Sequence, residues 1–247
     1  MKTPAWLSFL GRWLLWVLLL VVGLQLFFAG RIALMAHVNP QSTAFMRSEA
    51  WRRASEPGNG PQRPWAQQWV DADRISGHLK RAVIAAEDDG FALHTGVDWT
   101  AIESARARNQ KREALAQKKG GAQTAKVVGG STITQQLAKN LLLSGERHLV
   151  RKGQELVLTY MLEALLSKQR ILEIYLNSVE WGDGVFGAEA AAQRYFGVPA
   201  KALSAEQAAR LAVMLPAPKY FERRPTSPYL ARRTAAILAR MNAAVLP

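Results

Sequence analysis

Two stretches of this chain combine reactive residue types with spacings that bring them together. The first, Glu87-Asp88-Asp89-Gly90-Phe91-Ala92-Leu93-His94-Thr95-Gly96-Val97-Asp98, sets three carboxylates, a histidine and a fourth carboxylate around a turn. Glu87 closes an apolar stretch in which Leu79, Val83 and Ala86 share one helical face. A carboxylate there is partly withdrawn from water and gains proton affinity, which suits a general base or acid. The dipole disfavours an acid at a helix C-terminus, so a purely structural placement is the weaker reading. His94 has no cysteine or second histidine at ligand spacing and reads as a hydrogen-bonded structural residue. Asp98 reads as the cap of a helix starting near Thr100.

The second stretch, Gly129-Gly130-Ser131-Thr132-Ile133-Thr134-Gln135-Gln136-Leu137-Ala138-Lys139-Asn140, packs a loop, a helix start and a polar face into twelve residues. Its glycines allow a sharp turn or a close approach. Ser131 or Thr132 caps a helix running through Leu143, and such a start favours anionic groups. Gln135 and Lys139 stand one turn apart with Gln136 and Asn140 beside them, giving a band of uncharged donors and one cation. Arg147, Arg151, Lys152 and Glu155 form a third cluster. By itself, Arg151 with Glu155 four residues on is an ordinary helical ion pair. Beside Lys139, these cations are placed to stabilise a departing phosphate or pyrophosphate, with Glu155 orienting them or helping to hold a divalent ion. Neither a P-loop nor a dinucleotide fingerprint is present.

The elements that position these residues are mostly helical. Lys152 to Ser167 and Lys168 to Asn177 carry apolar residues at helical spacing, and Ser204-Ala205-Glu206-Gln207 is a capping box whose helix Pro216 closes. Ser227-Pro228 opens a last helix. Residues 105–126 hold seven Lys or Arg against one acid, Glu113, and read as a solvated, mobile segment positioned as a substrate flap. No sustained two-residue alternation supports a large sheet, so the expected fold is mainly α.

The N-terminus is different in kind. Trp13 to Gly30 is an 18-residue stretch with Gln25 as its only strongly polar side chain, nearly long enough at about 1.5 Å per residue for the roughly 30 Å hydrocarbon layer. It exceeds a signal-peptide core, and no small-x-small cleavage site follows, so it reads as an uncleaved anchor. Flanking charges determine its orientation only weakly. Residues 1–36 are thus expected to form a short tip and transmembrane anchor, 37–74 a Pro/Gly/Ser-rich stalk, and 75–247 the functional domain. The chain carries a formal net charge of +13, and no acid precedes Glu49. With an anchor present, a membrane surface accounts for that balance more directly than nucleic acid. The absence of cysteine removes disulfides and thiolate metal sites.

EDDGFALHTGVD (87–98), GGSTITQQLAKN (129–140), RKGQE (151–155), KQRILEIYLN (168–177) and GDGVFGAEAAAQRYFG (182–197) follow the order of the five motifs of family 51 glycosyltransferases. The chain resembles that family over about Ile75 to Pro218, and its short anchored format resembles the monofunctional members rather than the bifunctional penicillin-binding proteins. Ser-x-x-Lys and Lys-Thr-Gly, the marks of a transpeptidase, are absent from the sequence. The resemblance implies a lysozyme-like helical fold with a small membrane-embedded jaw, and polymerisation of lipid II outside the bacterial inner membrane. It implies that Glu87 deprotonates the 4-hydroxyl of the acceptor GlcNAc, which displaces polyprenyl pyrophosphate from the donor MurNAc with inversion.

Glu155 matches the second catalytic glutamate, Arg151 and Lys152 the basic pair near the pyrophosphate, and Lys139 and Asn140 the substrate-contacting end of the second motif. The full substrate-binding set expected is Ser131, Thr132, Gln135, Gln136, Lys139, Asn140, Arg147, Arg151 and Lys152. No organic cofactor is implied, since the leaving group is already activated; Mg or Mn is compatible with the site. Implied partners are lipid II, the growing glycan strand, membrane lipids and cell-wall synthesis proteins, at a single-pass inner-membrane location with a periplasmic catalytic domain. Asp89-Gly90 departs from the basic or uncharged residue frequent in the first motif, making that turn more acidic and flexible. Two alternatives stay open. A lysozyme-like hydrolase or lytic transglycosylase would use Glu87 as an acid but would not need the Lys139, Arg151 and Lys152 cluster. An anchored binder of anionic lipid or nucleic acid would leave Glu87, Gln135 and Glu155 unconstrained.

Overall fold

The structure, a computed structural model, describes residues 5–55, 64–118, 129–143 and 149–247. Arg147 and the Pro/Gly-rich run from Glu56 to Pro61 lie outside the described residues.

Helix α1 (Ala5–Leu34) contains a 26-residue apolar stretch, Phe9–Leu34, of mean hydropathy 2.2, long and apolar enough to cross a membrane. Its last turns do not stand apart from the domain. Ile32 and Met35 are buried in the common core and Phe28 packs against it, while Arg170 Nε donates to the Met35 carbonyl at 2.8 Å. The 37–74 segment, expected as a stalk, is likewise folded where it is described. Thr43 Oγ1 accepts the Met46 amide at 3.0 Å to cap α2 (Ala44–Ser55), which buries Met46 and Glu49 and packs on a helix of the second motif. Strand β1 (Ala66–Gln67) follows, and then a 3₁₀ turn at Ala72–Arg74. Between them Val70 is held by Asn177, whose Oδ1 accepts the Val70 amide and whose Nδ2 donates to its carbonyl, both at 2.9 Å. Composition suggested a linker because α5 and Asn177 lie far along the chain, where no local pattern reveals them.

The remaining elements are α3 (Gly77–Glu87), α4 (Trp99–Lys118), α5 (Ile133–Leu142), α6 (Leu149–Leu165), α7 (Lys168–Ser178), β2 (Glu180–Gly182), β3 (Val185–Phe186), α8 (Ala188–Phe196), α9 (Ala205–Met214), α10 (Pro218–Glu222) and α11 (Pro228–Arg240). Apolar faces decide how they pack. α3 lies against α9 and α11, and α5 against α2, α6 and α7. One core runs through both groups, with Leu79 and Val83 of α3, Leu137 and Leu141 of α5, Leu158 and Leu162 of α6, and Leu211 of α9 all fully buried. Trp181 is also fully buried, and its indole donates to the Leu211 carbonyl at 3.1 Å.

The sheet is small, in the order β1-β3-β2, with β1 parallel and β2 antiparallel to β3. Gly187, at φ 83°, follows it at a point where a Cβ would stand 2.7 Å from the Asn177 carbonyl oxygen. Residues 105–118 are helical, as the second part of α4, and mostly exposed, as the solvated reading expected; the remainder of that segment is outside the described residues. Ala, Arg, Gln, Lys and Glu are strong helix formers, so α4 needs little apolar periodicity. The architecture is mainly α, as expected.

Candidate active site

Site geometry begins where α3 ends. Ser76 Oγ accepts the His78 amide at 3.2 Å to start the helix, and Asp88, turning out of helical geometry at φ −163°, stops it just after Glu87. Asp88 is buried and acts as a clip. Its Oδ2 accepts the Ile133 amide at 2.9 Å, the first of α5, where a negative charge complements the helix dipole. Its Oδ1 lies 2.8 Å from His94 Nε2, while His94 Nδ1 accepts the Gly96 amide at 3.1 Å. The ring proton therefore sits on Nε2 and is donated to Asp88. His94 is structural, as read from its lack of ligand neighbours. Asp98 Oδ1 accepts the Ala101 amide at 2.8 Å, capping α4; the bond from Thr100 Oγ1 and then this one hold its carboxyl below the usual range.

The start of α5 is fixed twice. Thr132 Oγ1 accepts the Gln135 amide and Gln135 Oε1 accepts the Thr132 amide, each at 3.1 Å, a reciprocal capping box. Thr132 Oγ1 also donates to the Gly96 carbonyl at 2.6 Å. Both side chains are buried, so the expected band splits: Gln135 turns inward as a cap instead of facing outward with Lys139. Gly130 lets this segment pass close to α4, since a Cβ would stand 3.1 Å from Ile102 Cα.

Gln136, on the next face of α5, reaches Glu87. Its Nε2 donates to Glu87 Oε2 at 2.9 Å, and its Oε1 accepts from the Tyr175 hydroxyl at 3.0 Å. With both ends of the amide engaged, its orientation is set and the carboxylate is aimed. Burial pushes Glu87 above the ordinary carboxyl range, and Asp88 adds to it; the Gln136 bond and the Arg233 charge oppose without reversing the shift. Tyr175 is fully buried and raised well above the usual phenol value, first by burial and then by Glu87 and Asp88, so it stays a donor.

The cations are organised around Glu155. This residue is buried, and its two oxygens are each taken: Oε2 by Arg151 Nη1 at 3.0 Å and Oε1 by Lys152 Nζ at 2.5 Å. Arg151 and Lys152 thereby flank one carboxylate and face different spaces. Arg151 lines a cavity of about 290 Å³ with Gln136, Lys139, Asn140 and Glu180. Lys152 lines a second, of about 490 Å³, with Ser131, Gln135 and the α4 residues Arg106 and Asn109. A third, of about 210 Å³, has Glu87, Ser131, Thr132, Arg108 and Arg240 on its walls. Lys139, Asn140 and Arg151 are thus brought together; Ser131 links the second and third cavities; Arg147 is outside the described residues.

Two participants escaped the sequence reading. Tyr175 had a signal, since a tyrosine within the buried run Ile171–Leu176 must find a partner for its hydroxyl. Glu180 had only its place between Val179 and Trp181. It is buried and pushed up to about 7, chiefly by burial, with Lys219 at 3.3 Å opposing and Glu49 and Asp183 adding to the rise. The donor set suits a divalent ion poorly: each Glu155 oxygen faces a cation, and among the described residues no three His, Asp or Glu are grouped to hold a metal.

Residues 59–242 match the family model described as Transglycosylase. The chain is 52% identical over 239 residues to a biosynthetic peptidoglycan transglycosylase of Burkholderia thailandensis, covering 97% of this chain and 85% of that protein. It is 49% identical to the protein of the same name from Janthinobacterium sp. (strain Marseille), with 98% and 100% covered, and 51% identical to that of Herminiimonas arsenicoxydans, with 95% and 96% covered. With the family model matched over residues 59–242 and relatives 49–52% identical over nearly the whole chain, the helical fold has one reading: the chain belongs to the transglycosylase family.

Proposed function

We propose that this chain is a membrane-anchored peptidoglycan glycosyltransferase that polymerises lipid II into glycan strands, with Glu87 as general base and the Lys139, Arg151 and Lys152 cations at the leaving group. The observation that supports the assignment is the Tyr175–Gln136–Glu87 chain of hydrogen bonds, which holds a carboxylate of raised proton affinity in the wall of a cavity it shares with Ser131 and Thr132. Glu87 takes the proton of the acceptor GlcNAc 4-hydroxyl as its oxygen attacks the anomeric carbon of the donor MurNAc. The bond from that carbon to the pyrophosphate oxygen breaks, and the configuration inverts. Charge grows on the pyrophosphate at that moment, and cations already fixed in place stabilise it without reorganising.

Glu155 keeps them fixed. A carboxylate bonded to both cations holds them in register while leaving a net positive field for the phosphates. No organic cofactor is needed, because the polyprenyl pyrophosphate is an activated leaving group. The 26-residue apolar stretch supports single-pass anchoring, and the nature of lipid II supports an inner-membrane location with the catalytic domain periplasmic. Membrane lipids and other cell-wall synthesis proteins are the partners this placement favours. Incubating the full-length protein with labelled lipid II in vesicles tests the reading. Polymeric glycan is expected, and cleavage of preformed glycan without polymerisation would overturn it.

A further inference from the structure

Gln25, the one strongly polar side chain between Trp13 and Gly30, is not left in hydrocarbon. Gln25 Nε2 donates to Gln154 Oε1 at 3.0 Å, and Gln154 Nε2 donates to Gln25 Oε1 at 3.0 Å, a closed pair of amides between α1 and α6. Gln25 continues the face of α1 that Phe28 and Ile32 turn toward the domain, at positions i, i+3 and i+7. It lies nine residues before the end of α1 at Leu34, so α6 meets the span roughly 14 Å inside that end at about 1.5 Å per residue. The flanks of α6 fit an apolar setting, with Val150 80% and Val157 41% exposed. Where water is scarce, an amide deprived of its partner has few replacements.

Gln154 lies between the groups that handle the leaving group. It follows Arg151 by three residues and Lys152 by two, and precedes Glu155 by one, in the first turns of α6. We propose that Gln25 is a positioning residue for the reaction: by closing the amide pair with Gln154 it fixes the first turns of α6, and with them the Arg151–Glu155–Lys152 cluster, against the anchor. The anchor is then part of the catalytic framework as well as a tether. This rests on the reading of those cations as the leaving-group site, and the experiment separates the two.

Full-length wild type, Gln25→Leu, Gln154→Leu, the double Leu variant, Lys152→Ala and Gln25→Leu/Lys152→Ala are compared in phospholipid vesicles containing labelled lipid II. Gln25→Leu and Gln154→Leu are each expected to lower kcat about tenfold with KM within about twofold, because each strands one amide. The double Leu variant is expected to lose no more kcat than either single variant, since either change alone already opens the pair; losses that multiply would show that the two glutamines act separately and overturn the proposal. In the Lys152→Ala background, Gln25→Leu is expected to have little further effect, because it acts through the cluster; a loss that multiplies independently would mark a general structural role and overturn the proposal. Wild-type kcat in Gln25→Leu, or a change confined to KM, would overturn it too. Lys152→Ala turning over at the wild-type rate would instead overturn the leaving-group reading on which the proposal stands.

Discussion

The two halves of the proposed site face opposite electrostatic problems. On the base side, Glu87, Gln136 and Tyr175 form a chain of hydrogen bonds among largely buried groups with one ionisable carboxylate at its end. On the leaving-group side, Glu155 is buried but bonded to two cations, and Lys152 leaves about half of its side chain exposed. A base must bind a proton more tightly than a free carboxylate, which burial with only neutral donors achieves. A pyrophosphate site must present charge that is accessible yet fixed, which a shared carboxylate achieves. Removing charge should therefore destroy the first half abruptly and loosen the second by degrees.

The sharpest break is Glu87→Gln. The amide keeps size and burial but accepts no proton, and polymerisation should fall roughly 10²–10⁴-fold with lipid II binding and melting temperature little changed. Turnover near wild type in a folded variant would remove Glu87 from its role. In the wild type, the acid limb of kcat/KM should lie above the ordinary glutamate value of 4.5, because burial raises Glu87 and activity is lost as pH falls through the raised value.

Next comes Glu155→Gln, which releases both cations at once. It should lower kcat about ten- to a hundredfold with a smaller change in KM, since fixed charge acts chiefly as the leaving group departs. Arg151→Lys should cost less, near fivefold, because an ammonium replaces a planar guanidinium. If Arg151 and Lys152 only paired with Glu155 on a helix surface, both variants would turn over normally, and steady-state kinetics on lipid II distinguishes the cases.

How legible this division was depended on range. Glu87 at the end of an apolar helix, Thr132 as a cap and the Arg151–Glu155 spacing are local patterns, and each appears in the structure. Gln135 was misjudged as an outward donor because helical spacing to Lys139 says nothing about a competing reciprocal cap with Thr132. The described parts of 37–74 were misjudged because Pro, Gly and Ser report local stiffness and turning, whereas Met46, Glu49 and Val70 are held by α5, α10 and Asn177 far away. α4 lacks an apolar stripe and its second part is mostly exposed, as the sequence suggested; only its helicity went unread, although its propensities favour a helix.

Tyr175→Phe sharpens the base side more gently. Loss of the hydroxyl leaves Gln136 Oε1 without that donor and lets the amide swing, so kcat should fall about two- to tenfold, the scale of one hydrogen bond. Rotating the amide also weakens its bond to Glu87, and since that bond lowers the proton affinity of Glu87, the acid limb should move to higher pH. A slower enzyme with an unmoved limb would assign Tyr175 to packing alone.

The smallest effect on turnover and the clearest on stability is expected at Glu180, which lines the cavity with Lys139 and Arg151. Its carboxyl is pushed up from 4.5 to about 7, so between those values the folded protein holds a proton that the unfolded chain has released. Stability must then fall as pH rises across that window, because the folded state binds more protons. A shift of this size corresponds to about 2–3 kcal/mol at pH 8 once the remaining Lys219 contact and solvent are allowed for. Glu180→Gln removes the titration while keeping the volume, so wild type and variant should unfold alike near pH 5, with the variant the more stable at pH 8. Urea unfolding of both proteins at the two pH values measures the difference directly; parallel losses with pH would show that Glu180 ionises as readily in the fold as outside it, so that this wall of the cavity beside Lys139 and Arg151 is open to water.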